Sequence, residues 1–70
     1  MLQVFERGGQ RMILDTNFVD GDTYALRVVD ANGVESVEYC RTLREVVERQ
    51  VALHVQLARD GWTRMGTRIA

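Results

Sequence analysis

Apolar and polar residues alternate with a two-residue period through the first forty positions, and the period then becomes helical. "LQVFE" (2–6) is a short alternating run closed by Gly8-Gly9, and "RMILDTN" (11–17) follows within hairpin distance. "TYALRVVD" (23–30) sets Tyr24, Leu26 and Val28 on one face and Ala25, Arg27 and Val29 on the other, as a strand with one buried face requires. "VESVEYCR" (34–41) is its partner across "DANG" (30–33), whose Asn-Gly favours a tight hairpin. In this fourth strand Val37 and Tyr39 are expected to face the core and Glu38 to face outward. Adjacent short strands with tight turns predict a four-stranded antiparallel meander.

The second half predicts one long C-terminal helix over 43–60, packed on one face of the sheet. "TLRE" (42–45) has the capping-box pattern, with Thr42 accepting from a free N–H of the first turn and Glu45 reaching back to the N–H of Thr42. Glu45 and Arg49 are spaced for an i,i+4 ion pair. Gly61 predicts the stop. If it takes the left-handed conformation just past the helix, Trp62 falls where an apolar side chain folds back on Leu57. Trp62, the only tryptophan, therefore reads as an anchor of the core more than as an exposed binding ring between Arg59 and Arg64. The tail, 61–70, is expected either to add a short edge strand or to stay loose, with Gly66 arguing against a long one. The whole chain is one small α+β domain.

Winding the helix at 100° per residue from Leu43 separates its apolar residues into two flanks. Val46, Leu53 and Leu57 fall between about 280° and 320°, and Val47, Val51, Val55 and Ala58 between about 40° and 120°. Leu43, Gln50 and His54 lie between the flanks. A helix resting on one sheet needs an apolar stripe only about 100° wide, without polar residues at its centre. Two arrangements answer this pattern. Either the helix is deeply cradled and Gln50 and His54 find hydrogen-bond partners in the core, from Tyr24, Tyr39 or the backbone. Or one flank packs on the sheet and the other on a second copy, with Gln50 and His54 at the seam. The second is preferred, which makes Val47, Gln50, Val51, His54, Val55 and Ala58 the candidate dimer interface. A seam histidine would weaken such a dimer below about pH 6.

Size supports a partner. Seventy residues bury only about 60% of the surface of the unfolded chain, and folds this small usually need a staple. Cys40 is the only cysteine, so no disulfide closes within the chain, and one histidine with one cysteine supplies no zinc spacing. A lone cysteine and the lack of a signal peptide or long apolar run predict a soluble, cytoplasmic protein without membrane contact. Net charge is −1, but unevenly spread: residues 1–40 carry three arginines against seven acids, residues 41–70 six arginines against three acids.

Little in the sequence resembles chemistry. His54 lies mid-helix among valines and leucines, the setting of a satisfied core or interface histidine. Cys40 precedes Arg41, Arg44 and the helix start, which would favour a thiolate, though a free cysteine is more often a small buried hydrophobe. "DTNFVDGD" (15–22) is rich in oxygens but lacks calcium-loop spacing, with Val19 where a ligand is required. "ERGGQR" (6–11) lacks the phosphate-loop pattern. No enzyme activity and no cofactor are expected. The reading is a small non-catalytic interaction or regulatory module, acting as a homodimer, with an unidentified protein partner as a further possibility. The alternative is a single-stranded nucleic-acid binder using a sheet face through Arg7, Arg11 and Arg27. Strands followed by a dimerising helix are similar in predicted layout, though in no motif, to the whirly single-strand DNA binders.

Overall fold

A computed structural model describes the backbone of residues 1–68 and the side chains of residues 1–65. The expected α+β architecture is present as β1 (Leu2–Arg7), β2 (Gln10–Asp20), β3 (Thr23–Val29), β4 (Glu35–Cys40), α1 (Leu43–Arg59) and β5 (Thr63–Arg68). β1 to β4 form the meander, and β5 enlarges it to an antiparallel sheet of order β4-β3-β2-β1-β5.

The fifth strand is the main departure from the four strands expected. β1 would otherwise present an unpaired edge, and the chain leaving α1 arrives at that edge. Gly66 does not stop the strand; it lies beside a bulge. Val4 pairs with Gly66 and Phe5 with Arg64, so Met65 is the extra residue, and a glycine within a strand commonly marks such a place. Residues 69–70 of the expected tail lie outside the described residues.

The faces of β4 are the reverse of those expected. Val37 and Tyr39 are exposed, whereas Cys40 is buried and Glu38 lies across from Leu26 on the helix side. The cause is the loop. A two-residue Asn-Gly turn would place Tyr39 opposite Leu26. Instead Asp30 pairs with Val34 around the three residues Ala31, Asn32 and Gly33, with Gly33 left-handed at φ 81°. Asp30 Oδ1 accepts from the N–H groups of Asn32 and Val34, both at 2.9 Å, which favours this wider loop. One residue of slip turns every side chain of the strand to the other face.

α1 leaves β4 at one edge of the sheet and returns to β5 at the opposite edge, so it crosses the face diagonally. Thr42 is its N-cap and accepts from the N–H of Glu45 at 3.1 Å. The Glu45 carboxylate accepts from the N–H of Arg41, one residue before the position expected, and Arg49 pairs with Glu38 of β4 instead of with Glu45. Beneath the helix lies a core of Phe5, Leu14, Leu26, Leu57 and Trp62, flanked by Met12, Val28 and Leu53.

The helix stop follows the sequence closely. Gly61 is left-handed at φ 86°, its N–H donates to Ala58 O at 3.1 Å, and the N–H of Trp62 donates to Leu57 O at 2.9 Å. These two bonds satisfy carbonyls that a helix end leaves without partners. Trp62 is buried in the core. The cation beside it is neither Arg59 nor Arg64 but Arg7 of β1, whose guanidinium stands 4.6 Å from the indole centre and donates to Asp60 O at 2.8 Å. Arg7 thus ties the end of β1 to the end of the helix through a cation–π contact and a charge-assisted bond. Trp62→Ala is expected to destabilise the fold by about 3–5 kcal/mol, as for other buried aromatics. Urea unfolding checks this, and an unchanged midpoint would show that the ring is not an anchor.

Candidate functional site

The two flanks of α1 meet different surroundings. Val46 and Leu57 are buried, and Leu53 is half-buried against Met12, Leu14 and Val28. Gln50 and His54 turn toward their own sheet. Gln50 Nε2 donates to Thr16 Oγ1 on β2, and His54 Nε2 lies 2.8 Å from Gln3 Oε1 on β1. The imidazole also stacks obliquely on Phe5, with ring centres 5.6 Å apart. The polar centre of the helix stripe is thus satisfied inside one chain, by Thr16 and Gln3 and not by the tyrosines.

The other flank has no cover among the described residues. Leu43, Val47, Val51 and Val55 recur every fourth residue and are 62%, 49%, 56% and 47% exposed, with Ala58 exposed beside them. Their side of the helix is fixed by its neighbours. Arg49, on the opposite side, reaches Glu38 at the β4 edge. Gln50 and His54, next to the valines, reach Thr16 and Gln3 toward the β1 edge. The valines therefore lie toward the corner of the sheet where β1 begins, uncovered there by any described side chain.

That corner is bounded by a projecting hairpin. β2 has 11 residues, and the last of them, 17–20, lie against β3 alone among the described residues. Phe18 lies two residues past Thr16 on the same, helix-side face, 61% exposed, and packs edge-on against Tyr24 with centres 5.6 Å apart. A bulge between Phe18 and Asp20 leaves Val19 exposed, and Asp20, Gly21 and Asp22 form the tip. The exposed helix flank and the exposed Phe18 thus both lie on the helix side of the sheet.

The three arginines proposed for nucleic acid do not share a surface. Arg7 is engaged at the helix end, on the helix side of the sheet. Arg11 and Arg27 lie on the open face, where Arg27 is held by Asp15 at 3.3 Å and Glu35 at 3.7 Å. Asp15 is buried there; its Oδ2 accepts from Asn17 and Arg27, and its Oδ1 has no partner among the described residues. Tyr39, 67% exposed, is the aromatic of this face.

Cys40 is buried, and its thiol is pushed above the ordinary range, first by burial and then by the Glu38 and Glu45 carboxylates, against the pull of Arg49. Arg41 and Arg44 do not offset this. His54 is held below its ordinary value, first by burial and then by the charge of Arg64. Among the described residues no cluster of three or more His, Cys, Asp or Glu side chains can hold a metal, and no helix is long and apolar enough to cross a membrane. A void of about 20 Å³ under Leu53 and Leu57 is wholly apolar. A shallow depression of about 280 Å³ between Glu6, Gly8, Thr63 and Met65 contains Arg7, whose charge is already engaged. No family model, curated protein or solved structure matches the chain.

Two outcomes follow from the shifted groups. Because the folded state lowers the His54 pKa below its ordinary 6.5, the unfolded chain binds that proton more readily. The stability this group contributes is complete above about pH 6.5 and is lost as pH falls through and below it. Urea midpoints should therefore drop between pH 7.5 and 5.5, and His54→Gln should flatten that slope. Iodoacetamide at pH 7.5 should modify Cys40 at least about tenfold more slowly in the folded chain than in urea, since the thiolate is the reacting form and the side chain is covered.

Proposed function

We propose that this chain is a non-catalytic interaction module that works as a homodimer, joined through the uncovered flank of α1. One observation carries the reading: Leu43, Val47, Val51 and Val55 form a half-exposed apolar row along the whole helix. Scattered exposed aliphatics are ordinary, whereas a continuous row on one element marks a contact surface. A chain of 70 residues also has little core of its own, and a partner that covers this row supplies what the single sheet lacks. Cyclic two-fold pairing is the common closed arrangement, and a single helix stripe laid against its own copy satisfies it. In this dimer Val47, Val51, Val55 and Ala58 make the contact. Gln50 and His54 lie at its base, held by Thr16 and Gln3.

Light scattering at two concentrations should give twice the 8.0 kDa of one chain. Val51→Arg should reduce that to one chain without changing the far-ultraviolet circular dichroism. A wild-type mass of a single chain overturns the reading.

The second reading is single-stranded nucleic acid on the open sheet face, favoured by Tyr39 standing exposed on the same face as Arg11 and Arg27. Stacking on such a ring contributes about 1–3 kcal/mol per base. Fluorescence anisotropy of a labelled oligonucleotide at low salt decides it. Binding that weakens steeply with salt and is lost in Tyr39→Ala supports this face, and no binding at low salt removes it.

A further inference from the structure

We infer that the second copy lies antiparallel along α1, with the two-fold axis near Val51, and that the β2–β3 hairpin of each chain reaches across the helix end of its mate. This rests on the homodimer proposed above and states its geometry. The helix flank alone is too small for a stable contact. A stable dimer buries about 800 Å² on each partner, and four half-exposed aliphatic side chains on one helix do not supply it. The contact must extend to the neighbouring apolar surface, which is the projecting arm with Phe18 and Val19.

Charge sets the direction of the mate. The arm ends in Asp20 and Asp22, which form no ion pair among the described residues. Arg59, in the last turn of α1, likewise has no carboxylate partner among them, whereas Arg44 and Arg49 are taken by Glu48 and Glu38. An antiparallel pair centred on Val51 sets residue 59 of the mate beside residue 43, eight positions or about 12 Å from the axis at 1.5 Å per residue. Residue 43 follows Cys40, and Cys40, Tyr24 and Phe18 lie in one row across the sheet, where the arm begins. The mate's Arg59 thus arrives at Asp20 and Asp22, twice per dimer by symmetry. A parallel pair would bring Arg59 to Arg59 and leave both arms unpaired. Complementary charge of this kind selects orientation more than it adds affinity.

Two sets of variants test the geometry. In a Cys40→Ala background, V51C should oxidise to a linked dimer. V47C should not link to itself, since antiparallel copies of residue 47 stand about 12 Å apart along the helices, beyond disulfide reach. A mixture of V47C and V55C should link to each other. In the chain with Cys40 intact, D20R/D22R and R59D should each weaken dimerisation about tenfold or more, and the combined variant should recover most of it. A single-chain mass for the wild type overturns both the homodimer and this geometry. A wild-type dimer in which V47C links to itself, or in which the charge reversals have no effect, overturns the antiparallel embrace and leaves the homodimer standing.

Discussion

One helix cannot cover one face of five strands. Neighbouring strands stand about 4.8 Å apart, so five of them make a sheet roughly twice as wide as the 10–12 Å of a helix with its side chains. α1 meets this constraint by running diagonally from the β4 edge to the β5 edge. That path lets it touch the core residues of several strands, including Leu26, Leu14 and Phe5. Among the described residues it also leaves uncovered the corner beside its valine flank, and the β2–β3 arm extends from that corner. The open corner, the uncovered valines and the case for a partner all descend from this single mismatch of widths.

The polar centre of the helix has a role within that geometry. A helix with apolar residues on two flanks can seat either flank on a sheet at similar hydrophobic gain. Gln3 is buried, however, and a buried amide without a partner costs about 1–3 kcal/mol. Only the observed rotation brings His54 to Gln3 and Gln50 to Thr16. The hydrogen bonds choose between two seatings that apolar contact alone would leave close in energy. The valines stay outside because polar groups hold the other flank in.

Features governed by neighbours in sequence were legible before the structure. The alternation of Tyr24 to Val29, the Thr42 cap, and the Gly61–Trp62 stop each depend on a few adjacent residues, and each occurs where the pattern placed it. What failed depended on a choice between two local solutions or on distant chain. "DANG" permits either a two- or a three-residue loop, and the Asp30 carboxylate decides for the longer, turning Val37 and Tyr39 outward. β5 has little alternation of its own and exists because the β1 edge is open when the chain arrives. The candidate interface was legible in part. The wheel found Val47, Val51 and Val55, but nothing near Gln50 in sequence announces Thr16, thirty-four residues earlier. Phe18 falls outside the strand expected over 11–17, because β2 runs three residues past that end.

The β1–β5 ladder has a kinetic consequence. It pairs Leu2 with Arg68, so the first strand of the chain waits for the last one. The meander closes through short loops, while β5 must wait for the helix to cross, and contacts this distant in sequence form slowly. Without β5, "LQVFE" would be the bare edge of the sheet, and such an edge is a template for another chain. Arg7, at the end of that strand, holds Asp60 and Trp62 just before β5 begins. Its contacts hold the start of β5 beside the end of β1, and so keep the edge that β5 covers from offering itself to another chain.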